Sequence, residues 1–520
     1  MNLAIEPWIP VVQVDGRSGT VSLREMFETG HQIQDLAVRP HERIALMRLL
    51  ICIAQSALDG PEDYDDWNGC RPRIAPAALD YLQRWQNAFE LFGNGQRFLQ
   101  VANLKRPANK SSGDVDDEGN STSKLDLALA TGNNTTLFDN SGGSERAFAA
   151  GELALMLLTF QCFSPGGRIG VVLWSGQEAA GRGSSDHAPC LAGGMLHALL
   201  RGENLAGTFH LNLLARRQTE QLWGKDSWGK PVWEQMPTGL TDAAAVRNAT
   251  LTYLGRLVPL TRLIWLSDDC RTLVLANGLE YAPYSDRGWR EPTATIVTRK
   301  IKGQPTRMVL PTSVGRAVWR ELNALTVKNV SQNSNGGPAA LQNVSGEGAF
   351  DLWIGGLVAN QAKPVDTCES VFHIPSEMLK EPSQVRYEKS VRHAENTEYK
   401  LKRAVSAYHK GLGDNLDRPE MKNRRQRIQS NAAAQFWTDI ESAVPHLIEA
   451  SAAPEALGLK EEWHKTTWGQ SVQRASRAAY EYACPHETSR QIHAYVLGLN
   501  TLFAAPPDQS ENETEKELEA

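Results

Sequence analysis

The chain has 520 residues, of which 41% are apolar and 22% charged, and its formal net charge is -6 with an isoelectric point near 6.1. This ordinary globular composition predicts two or three domains, and the negative balance argues against a protein that coats nucleic acid unaided, because phosphates favour clustered Lys and Arg. The sequence has neither a signal-peptide pattern nor a run of roughly 18 apolar residues that could span a bilayer, so we expect a soluble, cytoplasmic protein without membrane contact.

The first part of the chain alternates strand and helix patterns. Residues 3–14 are rich in β-branched and aromatic side chains and predict short strands, and a helix is expected to start near Val21. The apolar run from Pro40 to Leu58 predicts a core helix. Residues 106–124 contain almost no apolar side chain and predict a mobile loop, whereas residues 145–160 predict a second helix.

From about residue 208 to 311, short apolar runs are separated by Gly, Pro and Asp. These runs predict strands of a mixed or antiparallel sheet, at residues 210–214, 263–266, 272–276 and 293–298. A polar loop over 331–348 then precedes an apolar run from 350 to 362.

Beyond Phe372 the strand pattern ends and helical periodicity takes over. Four segments joined by short loops predict an antiparallel bundle, at residues 384–410, 419–451 with a break near Pro445, 459–484 and 486–503. The predicted fold class is therefore α+β: a large mixed α/β N-terminal domain (1–372), an all-α four-helix bundle (373–505) and an acidic disordered tail (506–520).

Charge is unevenly distributed along the chain. Residues 379–430 hold 13 Lys or Arg against seven Asp or Glu, so this stretch carries +6 and the remainder -12. The first half of the bundle is expected to present a local basic surface, although an ordinary solvated helix face is an equal alternative. The candidate residues of this surface are Lys402, Arg403, Arg424 and Arg425.

The seven cysteines are scattered and none forms a CxxC pair. An odd number of dispersed thiols suits reduced cysteines better than a disulfide framework. We therefore favour buried structural thiols and expect no metal. A Cys/His zinc site assembled from distant positions is the alternative.

Two motifs approach catalytic patterns without completing them. Residues 224–231 have the spacing of a phosphate-binding loop, but Pro231 replaces the Ser or Thr that would hold magnesium, which favours a surface turn. His486 begins a pattern similar to a zinc-protease helix, but Arg490 stands where the second His is required, which favours a helix start. We expect no active site and no cofactor, although groups brought together only by the fold would escape this search.

Six motifs stand in one order over about the whole chain: MNLAIEPWIPV (1–11), LFDN (137–140), FSPGGRIG (163–170), RGENLAGTFHLNLL (201–214), NGL (277–279) and GGLVANQA (355–362). Together they resemble the CasA family, the large subunit of the type I-E CRISPR surveillance complex Cascade. The resemblance implies a non-catalytic subunit that recognises the protospacer-adjacent motif (PAM) in duplex DNA and starts strand separation for crRNA-guided R-loop formation. It also implies contacts with other Cascade subunits and crRNA, and help in recruiting a separate helicase-nuclease.

The resemblance assigns DNA contacts to two places. Asn360, Gln361 and Ala362 match the family's wedge, which enters the duplex beside the PAM, and the pliant pair Gly355-Gly356 precedes it. Gln361 is the first candidate, and a plain strand-end turn is the alternative. Arg271 falls where a family lysine contacts the PAM from the minor groove, and a surface Arg on a hairpin is the alternative.

The family also has a glycine-rich loop that approaches the minor groove and a loop that reaches the crRNA 5′ handle and neighbouring subunits. Two segments compete for the first role, and plain turns are the alternative for each. Some relatives carry a zinc-binding cysteine cluster just before Arg271, but residues 266–271 hold one Cys, so we expect no zinc there. A metal-dependent nuclease whose ligands meet only in the fold is the rival function. The glycine-loop candidates are Gly166, Gly167, Gly181, Arg182 and Gly183, and the crRNA-handle candidates are Leu137, Phe138, Asp139 and Asn140.

Overall fold

The structure is a computed structural model, and the chain divides into two compact units, Met1–Leu379 and Lys380–Ala520. The sequence predicts this division near residue 372. That position lies within the last strand of the first unit, and the strand ends at Pro375. The residues that the structure describes are 1–106, 119–129, 147–164, 170–179, 188–190, 194–281, 291–313, 315–331, 333–345, 348–360, 363–414, 418–453 and 466–504.

The described part of the first unit combines short helices with short strands. Its helices are α1 (Leu23–Glu28), α2 (Pro40–Leu58), α3 (Tyr64–Gly69), α4 (Arg71–Arg84), α5 (Ala150–Phe163), α6 (Leu205–Asn212), α7 (Arg216–Trp223), α8 (Ala243–Leu251), α9 (Tyr253–Leu257) and α10 (Leu322–Leu325). Its strands are β1 (Ile9–Gln13), β2 (Ser18–Val21), β3 (Ile33–Leu36), β4 (Leu104–Lys105), β5 (Asn120–Ser121), β6 (Val172–Trp174), β7 (Gln177–Ala179), β8 (His197–Arg201), β9 (Arg262–Leu266), β10 (Thr272–Asn277), β11 (Ile296–Ile301), β12 (Gln304–Val309), β13 (Ala349–Asn360) and β14 (Lys363–Pro375).

The described strands form several small sheets rather than one large sheet. Their orders are β2-β1-β3, β5-β10-β9, β11-β12, β14-β13-β8 and β4-β6-β7. Every strand pair among them is antiparallel. Of the two predicted arrangements, mixed or antiparallel, the described strands therefore have the antiparallel one. The mixed α/β character of this unit, followed by helices, confirms the coarse fold class.

Helix α2 is the central helix of the first unit, and its predicted bounds are confirmed. Pro40 at its first turn suits a position whose backbone N–H has no helical partner. Asp59 ends the helix in a left-handed conformation with φ of 49°. Apolar residues on nearly all its faces, such as Leu46 and Leu50, are fully buried, as expected for a helix without a polar face.

Two local predictions were wrong. The run 210–214, predicted as a strand, begins inside helix α6, because the Asn204 side chain accepts a hydrogen bond from Gly207 N at 2.9 Å and starts the helix. Part of the predicted mobile loop is ordered: Ser121 pairs with Thr272 in a neighbouring strand, and Thr122 is 0% exposed. The partner strand lies some 150 residues away, so local composition carries no sign of it. Residues 107–118 lie outside the described residues.

The described part of the second unit is helical. Its longest helix, α11, packs against each of the other four, and buried side chains such as Tyr387, Phe436 and Trp468 form its interior. The segment predicted over 419–451 divides into two helices after Glu441, near the predicted break. The tail 506–520 lies outside the described residues. The helices are α11 (Glu381–Gly411), α12 (Pro419–Glu441), α13 (Val444–Ala452), α14 (Thr467–Ala483) and α15 (Ser489–Phe503).

No helix in the described ranges is long and apolar enough to cross a membrane.

Candidate nucleic-acid interface

Strands β13 and β14 form a long hairpin that leads to the predicted wedge. They pair from Ala349 opposite Pro375 to Asn360 opposite Lys363, with one bulge between Val358 and Ala359. Strand β8 pairs with β13 only as far as Gly355. Beyond Gly355, the described hairpin is therefore a two-stranded ribbon that extends from a three-stranded sheet.

The base of this ribbon is fixed by side-chain and backbone contacts. Leu357 is 1% exposed, and its carbonyl accepts a hydrogen bond from Thr312 Oγ1 at 3.2 Å. Nearer the sheet, Trp353 Nε1 donates to Glu369 on the neighbouring strand at 2.6 Å, and the Arg43 guanidinium lies 5.4 Å from the Trp353 ring centre. A two-stranded ribbon is marginally stable alone, so this anchoring is what holds the hairpin in place.

The structure corrects the role expected for Gly355 and Gly356. Both lie within paired strand rather than at a pliant joint, opposite Glu369 and Cys368. A Cβ atom on Gly355 would lie 2.5 Å from the Trp353 ring, and one on Gly356 would lie 2.5 Å from Thr312 Cγ2. These glycines therefore allow close packing at the base of the ribbon.

Several predicted site residues lie outside the described residues, and their roles stay predictions. For the wedge these are Gln361, Ala362 and the side chain of Asn360. The same holds for both candidate glycine loops and for the predicted crRNA-handle loop: Gly166, Gly167, Gly181, Arg182, Gly183, Leu137, Phe138, Asp139 and Asn140.

Arg271 lies at the tip of the β9–β10 hairpin, and its side chain is exposed. The preceding residue, Cys270, has a left-handed φ of 62° and closes the turn by donating from its N–H to the Ser267 carbonyl at 3.1 Å. Asp269 accepts hydrogen bonds from Ser267 Oγ and from the Arg271 N–H, and these bonds lower the pKa of its carboxyl group. The turn is held by its own polar groups, which leaves the Arg271 guanidinium directed outward from an ordered base.

Sequence reasoning missed Lys124, which lies close to Arg271 in the fold. Thr122 donates from its backbone N–H to the Arg271 carbonyl at 3.0 Å, and Lys124 follows in the same 3-10 turn. Partial burial lowers the pKa of Lys124, and the neighbouring positive charge of Arg106 lowers it further. No local signal could have found Lys124, because its segment has the composition of a loop.

The basic side chains predicted in the second unit lie on two adjacent helices. Gln429 Nε2 of α12 donates to the Lys402 carbonyl of α11 at 2.7 Å, which sets the two helices side by side at this level. Arg425 lies one turn before Gln429 and shares its face of α12, whereas Arg424 is rotated about 100° away from Arg425 and is exposed. The structure thus brings Lys402, Arg424 and Arg425 to neighbouring helices.

The charges of these residues are not equally available. Lys402 Nζ donates to Glu398 at 2.5 Å, one helical turn away, which offsets its charge. The Arg403 guanidinium lies 5.9 Å from the Tyr399 ring centre and is exposed. Within the described ranges Arg403, Arg424 and Arg425 form no ion pair, so of the four residues these three carry the uncompensated positive charge.

The two near-miss motifs lie in a partly packed loop and before a helix. The loop at 224–231 contains the predicted turn, but Trp228 within it is 7% exposed, so it is partly packed rather than a simple surface turn. His486 lies before helix α15, whose N-cap Thr488 forms a capping box with Gln491, and this confirms the predicted helix start.

Among the described residues, one group of three or more potential metal ligands comes together: Cys190, His197 and Glu291. All three side chains are buried. A metal that cleaves DNA needs carboxylate ligands and an open position for the phosphate, and this enclosed group offers neither several carboxylates nor access.

Comparisons with known proteins agree on one family. The sequence profile of CRISPR-associated protein Cse1 matches residues 2–474. A protein of Thermus thermophilus named CRISPR-associated protein CasA/Cse1 is 27% identical over 498 residues, which cover 91% of each chain. The crystal structure of Thermobifida fusca Cse1 is similar with a TM-score of 0.74 at 19% identity, over 96% of this chain and 97% of that chain. A chain of a structure described as a CRISPR RNA-guided surveillance complex is similar with a TM-score of 0.71 at 17% identity, over 97% and 99% of the two chains.

The fold and the matched profile place the chain among the CRISPR-associated proteins. Within that class it belongs to the Cse1 family, also called CasA, and the resemblance drawn from the sequence motifs is confirmed.

Proposed function

We propose that the chain is the non-catalytic large subunit of a type I-E Cascade complex in the cytoplasm, where it recognises the PAM in duplex DNA and starts strand separation for crRNA-guided R-loop formation. The observation that carries this proposal is the anchored ribbon of β13 and β14, which ends at Asn360 and Lys363. A wedge must resist the force of inserting between stacked base pairs, and a ribbon fixed at its base provides that resistance.

Arg271 would contact the PAM from the minor groove. It stands on an ordered hairpin tip, with Lys124 nearby as a second positive charge. The minor groove is electronegative and its base pattern is degenerate, so basic side chains there would accept several motifs rather than one.

The helical unit, which we interpret as a four-helix bundle, would hold displaced or target DNA on the face that carries Lys402, Arg403, Arg424 and Arg425. Phosphate contacts hold DNA without reading its sequence, which suits a subunit that leaves sequence reading to base pairing. Other Cascade subunits and crRNA are the proposed partners, with a helicase-nuclease recruited after the R-loop forms. The predicted loop at 137–140 would reach the crRNA handle.

The proposal is tested by assembling the complex with Gln361→Ala and measuring its affinity for duplexes with and without a correct PAM, together with strand opening at the first target pair. We expect the variant to lose strand opening and most of the preference for the correct PAM, because the inserted amide no longer replaces the lost stacking. Gln304→Ala is a matched control, since Gln304 is an exposed Gln at the turn end of another hairpin, β11–β12. Unchanged opening in the Gln361 variant would contradict the wedge role.

A parallel assay separates this proposal from the rival nuclease. The isolated chain is incubated with duplex and single-stranded DNA in the presence of magnesium or manganese. We expect no cleavage. Metal-dependent cleavage that copurifies with the chain would overturn the non-catalytic role.

A further inference from the structure

A buried cluster in the first unit has the composition of a metal site. Cys190, His197 and Glu291 come from three separate parts of the chain, and one ligand atom of each lies within 4.8 Å of the others. Their exposed fractions are 0%, 0% and 5%. Ligands of a tetrahedral zinc ion lie roughly 3.5 Å apart, so the group would need to close by only about an ångström around an ion.

His197 is fixed by a hydrogen bond through one ring nitrogen. Its Nδ1 lies 2.7 Å from Thr293 Oγ1, and that hydroxyl donates to Glu291 Oε1 at 2.9 Å. The single proton of the hydroxyl is given to the carboxylate, so Nδ1 is the donor in its own bond. Nε2 is then the ring nitrogen available to bind an ion.

That second ring nitrogen lacks a partner among the described residues. His197 is 0% exposed, so water cannot reach its Nε2, and this nitrogen forms no hydrogen bond with any described residue. A buried acceptor without a partner costs free energy, and in a histidine whose other nitrogen is fixed by an oxygen it is the usual arrangement around a metal. This orphaned nitrogen is an observation independent of the clustering of the three ligands.

A second buried thiol lies next to this group. The Cys190 N–H donates to the Cys162 carbonyl at 3.1 Å, and both cysteines are 0% exposed. Cys162 is outside the group whose ligand atoms lie within 4.8 Å of one another, so its sulfur would have to move further than the other three ligands to reach an ion.

The charges of the cluster balance with or without an ion. Arg48 and Glu291 form an ion pair with side chains 2% and 1% exposed, and with neutral thiols the cluster has no net charge. A Zn²⁺ ion that displaces the protons of Cys162 and Cys190 adds two positive charges and creates two thiolates, so the total stays at zero. An unbalanced buried charge would be expensive, and this exchange creates none.

We propose that Cys162, Cys190, His197 and Glu291 form a structural Zn²⁺ site. Two thiolates, one imidazole and one carboxylate complete a tetrahedral shell with no open position, as in structural rather than catalytic zinc sites. Binding releases the two thiol protons, and no redox step is involved. The site lies apart in sequence from the segment before Arg271, where no zinc was expected.

The location gives the ion a mechanical role. His197 is the residue of β8 that pairs with Gly355, at the last position before the β13–β14 ribbon leaves the sheet. An ion there would join α5, residues 188–190, β8 and the strand-preceding residue Glu291 at the base of the ribbon. Loss of the ion should therefore loosen β8 and the ribbon base before other parts of the first unit.

The test measures metal in the purified full-length chain and needs no DNA. We expect about one zinc per chain by elemental mass spectrometry, and a loss of at least tenfold in Cys162→Ser/Cys190→Ser. Cys52→Ser is the matched control, because Cys52 is also fully buried but its thiol donates to the Leu254 carbonyl elsewhere in the core, and we expect it to retain the metal. Zinc-free wild type after equilibration with Zn²⁺, or equal zinc in all three proteins, overturns the proposal.

A second measurement uses wild type, so it does not depend on a variant that folds. Exchange with Co²⁺ should produce sulfur-to-cobalt charge-transfer absorption, and a chelator under mildly destabilising conditions should lower the melting temperature until Zn²⁺ is restored. Absence of the absorption overturns thiolate ligation, as does a Cys162–Cys190 disulfide found by mass spectrometry in the protein as purified. A failed wedge assay with zinc present would leave this site intact, so the two proposals can fail separately.

Discussion

The Arg97 guanidinium lies 3.9 Å from the centre of the Trp265 ring and donates to the Asp268 carboxylate at 2.8 Å. The same side chain donates to the Leu266 carbonyl at 2.8 Å, and it is 4% exposed. One buried arginine thus ties strand β9 to the turn that carries Arg271.

Replacing Arg97 with Leu should lower the free energy of unfolding by about 2–3 kcal/mol, because three hydrogen bonds from a buried charged donor, to Gly93, Leu266 and Asp268, and a cation–π contact are lost. Chemical denaturation measures the loss. Arg17→Leu is the control: Arg17 pairs with Asp15 but is 84% exposed, and its loss should change stability by less than about 0.5 kcal/mol. Equal losses of unfolding free energy in the two variants would show that the buried contacts of Arg97 stabilise the protein no more than the exposed ion pair of Arg17 does.

His41 should make the first unit sensitive to acid. Its two ring nitrogens are buried without partners among the described residues; burial lowers the pKa of His41 to about 3, and the positive charge of Arg39 lowers it further. In the unfolded chain the ring takes up a proton below about pH 6.5, so the folded state loses stability as pH falls from about 6.5 towards 3, by up to roughly 5 kcal/mol. His41→Leu should flatten the dependence of unfolding free energy on pH in that window.

The control for His41 is Ile44→Val in the same helix. Ile44 is 1% exposed and titrates nothing, so its shortening should lower stability by about 1 kcal/mol equally at each pH. An unchanged pH slope in His41→Leu would assign the acid sensitivity to other groups.

Gly356 should tolerate no side chain. A Cβ there would lie 2.5 Å from Thr312 Cγ2 and 2.8 Å from the Met195 carbonyl oxygen. We expect Gly356→Ala to cost about 1–3 kcal/mol and to increase hydrogen exchange at the ribbon base. Gly19→Ala is the control, since Gly19 is also in a strand but no described atom lies within 4 Å of the added carbon. A neutral Gly356→Ala would mean that the neighbouring strands shift apart at little cost.

The basic residues of the second unit should contribute unequally to DNA binding. In the assembled complex, Arg424→Gln and Arg425→Gln should each weaken binding and reduce the slope of log affinity against log salt by about 0.7–0.9, the amount expected for one phosphate contact. Lys402→Gln should change the slope less, because Glu398 already pairs with Lys402. Binding titrations at several salt concentrations measure these slopes and rank the three residues. If the slope of log affinity against log salt is unchanged in all three variants, the basic face of α11 and α12 is a solvated surface that does not contact DNA.

The sequence predicts elements well where one local pattern decides the structure. Helix α2 is an example, because its apolar content, its initial proline and its length agree, and its bounds match from Pro40 to Leu58. Prediction fails where a helix cap decides the local structure. The apolar run from 210 has strand composition, but the N-cap residue Asn204 starts helix α6, which contains the beginning of that run and ends at Asn212. Local β propensity is weak against such a cap.

The candidate site shows the same limit at longer range. The sequence shows the apolar run before Gln361, but not its pairing with β14 or the packing of Gly355 and Gly356 against Trp353 and Thr312, which depend on neighbours that the run does not reveal. Likewise, the cluster around His197 joins residues from 162 to 291 and has no sequence motif. Only the fold brings such groups together.

The ribbon of β13 and β14 acts as a cantilever that is held by β8 as far as Gly355 and by Thr312 at Leu357. Residues 356–360 give it a reach of about 16 Å at 3.3 Å per residue. Removing one residue from each strand would shorten it by about 3 Å and turn every later side chain to the opposite face, whereas removing two would shorten it by about 7 Å and keep the faces. The bulge between Val358 and Ala359 adds local twist, so it sets the direction of the tip while strand length sets how far the tip extends.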